Sequence, residues 1–296
     1  MIKAWITAAR PRTLPLSLSC IGMGGFLAAS RGSFDGLIFT FCILTTIFLQ
    51  VLSNLSNDYG DSIHGVDSEN REGPSRAVQS GEISANAMKK AMVAFALLSL
   101  ISGVLLLWFA LGQSSLFWVF LGLGVAAIIA AITYTSGKKP YGYVGLGDIS
   151  VLIFFGFIGV IGTFFLFTKS FDLINMLPAL SCGLFSVAVL NINNIRDIES
   201  DRDAGKKSIP VRIGLQKAVI YHWFLLITGF LSAVAFTLIE FATFFQFLFL
   251  INLPLFLVNG RAVSNKNQPS ELDPYLKQMA LTTLLFVLTF GLGILL

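Results

Sequence analysis

Long uncharged stretches alternate with short, charge-bearing ones along this chain. The uncharged stretches cover residues 13–30, 36–57, 91–137, 149–168, 173–195, 218–239, 241–260 and 278–296. About 20 apolar residues carry a helix across a bilayer, so each stretch predicts a crossing. The stretch 91–137 is long enough for two, with a turn near Gly112-Gln113-Ser114-Ser115. The pattern therefore predicts nine transmembrane helices. Barrel strands alternate apolar and polar residues over segments of ~10. The runs here are continuous, which excludes an outer-membrane barrel.

Threaded alternately with the N-terminus inside, the nine helices leave 18 of the 20 Lys and Arg residues on the inner side and only Arg31 and Lys169 outside. The acids divide the same way: 13 of 16 lie inside, leaving Asp35, Asp172 and Glu240 outside. Basic residues gather in the short cytoplasmic loops of membrane proteins. The chain thus reads as a multi-pass protein of the bacterial cytoplasmic (inner) membrane, with its chemistry on the cytoplasmic face.

A mean hydropathy of +0.79, with 55% hydrophobic and 12% charged residues, excludes an ordinary soluble domain. The spans leave little for an extramembrane domain, so residues 1–296 read as one all-α polytopic domain. The net charge of +4 is spread over five loops that flank spans, so topology explains it and no nucleic-acid partner is implied. Cys20, Cys42 and Cys182 fall within spans, at spacings that suggest neither a disulfide nor a thiolate metal site. Lys3, Arg10 and Arg12 before the first run read as the flank of a signal anchor that stays as span one. His222 lies within a span and is given no role.

Two inside loops carry most of the chemistry. The first reads Asn57-Asp58-Tyr59-Gly60-Asp61, then five residues, then Asp67. The second reads Asn193-Asn194-Ile195-Arg196-Asp197, then five residues, then Asp203, with Asp201 between. Each sits at the end of an even-numbered span, at an offset of 136 residues, which suggests a duplicated four-helix unit (spans one to four and five to eight) with span nine added. Helical residues three or four apart share a face, so Asp58 pairs with Asp61 and Asp197 with Asp201. Asp67 and Asp203 join them only if each helix ends first, as Gly60, Gly65 and Gly205 allow.

Carboxylates gathered at one spot need a cation. Oxygen ligands of this kind suit Mg²⁺, which keeps waters and bridges a few carboxylates to a substrate phosphate. The expected metal ligands are Asp58, Asp61, Asp67, Asp197 and Asp201. Arg71 and Arg76 follow the first cluster, and Arg202, Lys206 and Lys207 surround the second; these cations favour a phosphate-bearing substrate over a purely structural metal. Asn57 and Asn194, polar groups at the membrane ends of their spans, point the same way, since such groups are costly unless they face a cavity or each other.

These motifs resemble the signatures of the UbiA superfamily of intramembrane prenyltransferases: an N-D-x-x-D stretch with a further Asp, then a D-x-x-x-D stretch from Asp197 to Asp201. Tyr134-Thr135-Ser136-Gly137-Lys138 is similar to the family's Y-x-x-x-K between spans four and five. The resemblance covers essentially the whole chain. The stretches Gly73–Gly81, Lys139–Tyr143 and Leu146–Ile149 look most like the subfamily that acts on 1,4-dihydroxy-2-naphthoate.

The resemblance implies a bundle of nine helices and a polyprenyl diphosphate held through Mg²⁺ between the acidic loops, with Asp61, Asp197 and Asp201 catalytic. It implies an aromatic acceptor that attacks the allylic cation and loses CO₂. Arg76, Lys138 and Lys206 are the expected phosphate-binding cations, beside Asn57, Asn194 and a hydrogen bond from Tyr134. Asp148 is placed to take a proton from, or orient, the acceptor hydroxyl; as a plain alternative it is a helix cap. Arg10 and Arg12 meet the acceptor carboxylate or serve only topology. Aromatic side chains shield the cation, and the prenyl tail lies between helices or in lipid. No obligatory protein partner is implied. Hydroxybenzoate or homogentisate as acceptor stays open. A secondary transporter stays the rival from another class, although its site would sit near the midplane. A CDP-alcohol phosphotransferase would need a D-G-x-x-A-R start, which the chain lacks.

Overall fold

A computed structural model describes residues 2–64, 76–265 and 269–296. Among these residues, nine helices are long and apolar enough to cross a membrane: spans one (Ile2–Ser30), two (Gly36–Ile63), three (Ala85–Leu111), four (Ser115–Thr133), five (Gly147–Thr168), six (Leu173–Arg196), seven (Leu215–Ile239), eight (Phe244–Asn265) and nine (Asp273–Leu295). Every predicted crossing is present, and 91–137 does fold back on itself, at Gly112–Ser114.

The helices begin and end for local reasons. Asp35 caps span two by accepting the Leu37 and Ile38 amides, and Ser84 caps span three by accepting that of Ala87. Span one is broken: a helix over Ile2–Ala9 stops at Arg10, which takes a left-handed φ of 49° before Pro11, and a turn over Pro11–Thr13 leads into Leu14–Ser30. A residue preceding proline is pushed out of the helical region. The break sets Arg10 and Arg12 at the edge of the bundle interior.

Span one is central, packed on spans two, five, six and nine, while span four packs on spans two and three. Two cores result. The smaller joins the N-terminal helix to spans two and three through Ala4, Ala8, Leu52, Leu55, Met88 and Met92. The larger joins parts of spans one, two and three to spans five to nine, and its far side is dominated by interlocked rings, among them Phe185, Phe230, Phe249, Phe256, Phe286 and Phe290. At one end of the bundle, Arg31 bridges Asp172 at 2.8 Å and Glu240 at 3.3 Å, so two of the three acids assigned to the outer face share an end.

One local expectation fails. Gly60 does not end the helix, which continues to Ile63. Its missing Cβ has another use: a Cβ there would lie 2.5 Å from the Thr135 carbonyl oxygen. The bare backbone admits the segment after span four, whose Thr135 hydroxyl donates to the Ser56 carbonyl at 2.8 Å and to Asn57 Oδ1 at 3.1 Å. His222 is fully buried and hydrogen-bonded to Asn259 Oδ1 at 3.0 Å, a packed histidine.

Candidate active site

A cavity of about 790 Å³ opens between the two cores. Its polar end is lined by Arg10, Arg12, Asn57, Asp61, Arg76, Asn194 and Lys206, and its body by apolar side chains of spans one to five. The cations and the acid come from segments far apart in sequence, and the apolar walls continue from them without interruption.

Span two carries Asp61 on its last turn, buried. The Tyr143 hydroxyl donates to Oδ1 at 2.5 Å, and Arg76 forms an ion pair with Oδ2. Asp58, one turn earlier, was expected beside it as a metal ligand. The structure instead gives its two oxygens to the backbone amides of Ala77 at 3.1 Å and Val78 at 3.0 Å. Asp58 is buried away from the cavity, where it anchors the turn that delivers Arg76. Asp67 lies outside the described residues.

The second cluster lies where span six ends. Asp197 is held by its neighbour: Arg196 Nε reaches Oδ1 at 2.8 Å and Nη2 reaches Oδ2 at 2.9 Å. Arg196 also donates to Asp273 at 2.5 Å. A short helix over Ile198–Asp203 then presents Asp201 on the same face as Asp197, through the Asp201 amide to Asp197 carbonyl bond at 2.8 Å. Asp203 is exposed and does not join them. Asp201 is buried; Lys206 Nζ donates to its Oδ1 at 3.1 Å, and Oδ2 has no hydrogen-bond partner among the described residues. Burial raises its pKa above the usual carboxylate range, against the pull of Lys206.

The two clusters meet. Tyr143 holds Asp61, its ring lies 5.2 Å from Lys206 Nζ, and Lys206 holds Asp201. Tyr134 stands in the same wall. Burial, and then the nearby charge of Asp148, Asp61 and Asp201, raises its phenol pKa. Asp148 accepts from the Tyr221 hydroxyl at 2.9 Å and borders a separate small chamber that Tyr134 also lines; it is absent from the lining of the main cavity. Among the cations Lys138 is misplaced by the sequence reading. It is exposed and absent from the cavity lining, because the chain turns outward at Gly137, whose φ is 106°. Lys206, Arg76, Arg10 and Arg12 supply the positive charge instead. Arg12 is already engaged, donating to Asp273 at 3.0 and 3.1 Å.

Sequence reading missed Tyr143, Tyr221 and Asp273. Tyr143 had a signal, since a tyrosine two residues past Tyr141 in a short loop beside acidic motifs is an available donor; Tyr221 and Asp273 had none. The aromatic ring expected around the cation is smaller than 28 Phe residues suggested. Phe154, Phe155 and Phe157 of span five and Phe120 and Phe165 further along line the cavity, while the large Phe cluster belongs to the core of spans six to nine.

The donor set fits Mg²⁺. It is made of carboxylate and amide oxygens (Asp61, Asp201, Asn57, Asn194), with no thiolate or imidazole at the polar end. Among the described residues no three acids are already gathered as a closed site. Few protein oxygens is what Mg²⁺ uses when it keeps water and substrate phosphate as its other ligands. The arrangement can hold a charged phosphate head at one end and a long apolar chain at the other.

Comparison with known proteins gives the same picture. The model of the UbiA prenyltransferase family matches residues 17–284. A 1,4-dihydroxy-2-naphthoate octaprenyltransferase of Haemophilus influenzae is 47% identical over 296 residues, 99% of this chain and 96% of the relative. The protein of that name in Escherichia coli K12 is 43% identical over 292 residues, 99% and 95%. Among solved structures, a UbiA homologue from Aeropyrum pernix K1 superposes with a TM-score of 0.70 at 17% identity, over 95% of this chain and 96% of that one. A UbiA homologue from Archaeoglobus fulgidus bound to GPP and Mg²⁺ gives 0.64 at 16% identity, over 99% and 100%. At these identities the solved structures speak for the fold.

Proposed function

Because this chain belongs to the UbiA prenyltransferase family, we propose that it transfers a polyprenyl group from polyprenyl diphosphate to 1,4-dihydroxy-2-naphthoate with loss of CO₂, giving the prenylated diol, which is the reduced (quinol) form of demethylmenaquinone, in menaquinone synthesis. The observation that carries this reading is the cavity, with Asp61, Arg76, Asn194 and Lys206 at one end and apolar walls along the rest. The names of the relatives at 47% and 43% identity support the naphthoate acceptor, and the GPP- and Mg²⁺-bound homologue supports an allylic diphosphate donor with magnesium. The protein works in the bacterial inner membrane with its polar end toward the cytoplasm, on the strength of the charge distribution.

The chemistry follows from the polar end. Arg76 and Lys206 leave their carboxylates for the diphosphate oxygens, where charged hydrogen bonds are short and strong. Asp61 and Asp201 would hold Mg²⁺, joined by Asp197 once Arg196 releases its oxygens, and the bound ion would supply charge for the departing diphosphate. The donor C–O bond breaks and pyrophosphate leaves with the electron pair. Phe154 and Phe157 flank the allylic cation, and aromatic faces stabilise a cation where water is excluded. A ring carbon of the acceptor forms the new C–C bond, and its carboxylate departs as CO₂. Tyr134 and, behind it, Asp148 orient the acceptor hydroxyl, while Arg10 faces the acceptor carboxylate across the polar end.

The test is direct. Purified protein in lipid nanodiscs is offered one labelled polyprenyl diphosphate with dihydroxynaphthoate, hydroxybenzoate and homogentisate side by side. Prenylated naphthoate product is expected; exclusive use of hydroxybenzoate overturns the acceptor assignment, and no transfer to any acceptor overturns the enzyme reading.

A further inference from the structure

A second, much smaller space of about 20 Å³ adjoins the polar end of the cavity. Tyr134, Asn194 and Lys206 form the partition, since they line both spaces. Asp148, Asp201 and Ser208 make the far side. Two atoms of this lining are buried with no hydrogen-bond partner among the described residues, Asp201 Oδ2 and Ser208 Oγ. Their residues are 2% and 7% exposed. Neither is within hydrogen-bonding reach of the other, or both would be satisfied.

Buried polar groups in native proteins find partners, and a polar space of roughly 10–15 Å³ or more admits one water. The chemistry of the two atoms calls for that water. A carboxylate oxygen only accepts, while a hydroxyl both donates and accepts. A water between them accepts from Ser208 and donates to Asp201. Magnesium suits the chamber less well: it requires near-octahedral oxygen coordination, and the Lys206 ammonium already stands 3.1 Å from the other oxygen of the same carboxylate.

We propose that this chamber binds one water molecule between Ser208 Oγ and Asp201 Oδ2, and that Ser208 is thereby a positioning residue that keeps Asp201 Oδ1 turned toward Lys206 and the wall shared with the main cavity. The residue acts through Asp201 and does not touch substrate. Ligand-orienting partners of this kind commonly change metal affinity about 10–100-fold when removed. The inference rests on the reading of Asp201 as a metal-binding carboxylate.

The experiment measures binding of Mn²⁺ in the presence of saturating inorganic pyrophosphate to the full-length protein in nanodiscs by electron paramagnetic resonance, beside turnover at saturating Mg²⁺. Ser208→Ala is expected to weaken Mn²⁺ binding at least about threefold while kcat at saturating Mg²⁺ stays within about twofold. Ser208→Thr, which keeps the hydroxyl, is expected to restore the affinity. Equal affinity in wild type and Ser208→Ala overturns the proposal, as does a Ser208→Thr protein no better than Ser208→Ala. An experimental density map that shows other buried waters provides the second measurement: a peak between Ser208 and Asp201 is expected, and an empty chamber overturns the proposal even where the alanine variant fails to fold. A wild-type protein that binds no Mn²⁺ would sink the metal role of Asp201, and the density would still decide the water.

Discussion

The Tyr143 hydroxyl donates to Asp61 Oδ1 at 2.5 Å, so a loop that follows span four closes onto the last turn of span two. The contact spans 82 residues of sequence. It fixes one oxygen of the acid that faces the cavity and leaves the other to Arg76.

Tyr143→Phe therefore removes one donor to a buried carboxylate and leaves the ring over Lys206 in place. A hydrogen bond to a charged group contributes about 1.5–3 kcal/mol, and 1.4 kcal/mol is tenfold in an equilibrium. Donor-dependent kcat/KM is expected to fall at least about tenfold with the protein still correctly inserted. Wild-type kinetics in this variant would show that Asp61 needs no orientation from the loop.

Asp61→Asn and Asp197→Asn keep shape and remove charge. Both are expected to abolish prenyl transfer while membrane insertion persists, each with a lowered melting temperature because buried Arg76 or Arg196 loses its carboxylate, and chelation of Mg²⁺ from wild type is expected to produce the same loss of transfer without that destabilisation. Near-normal turnover in either variant contradicts the assignment of these acids.

The two lysines can be told apart. Lys138 is exposed and off the cavity, whereas Lys206 lines it and holds Asp201. Lys138→Ala is expected to leave the donor KM within about twofold, and Lys206→Ala to raise it at least about tenfold, the cost of one charged hydrogen bond to phosphate. The reverse order in a steady-state donor titration would restore the sequence-based choice.

Gly60 admits the Thr135 backbone. A methyl group there would lie 2.5 Å from a carbonyl oxygen, too close for a side chain to yield, so span two and the following segment must separate. Overpacking of this kind costs about 1–3 kcal/mol. Gly60→Ala is expected to lower thermal stability and to cut transfer more than it cuts folding yield, because the shift displaces Asn57 and Asp61 together. Unchanged activity and melting would mean that the contact is slack.

The hydrophobic pattern alone marked all nine spans, and charge marked the end at which the acids gather, since both are set locally by how each segment meets lipid or water. The pairing of Asp197 with Asp201 was also visible, as helical spacing alone puts them on one face. What each carboxylate and cation does there was decided by tertiary structure. Asp58 gives its oxygens to amides 19 and 20 residues away. Lys138 is carried outward by one glycine. Asp273 holds Arg12 from 261 residues off and Arg196 from 77. A buried charge must find a partner wherever the fold brings one within about 3 Å, and sequence spacing does not encode which distant segment that will be.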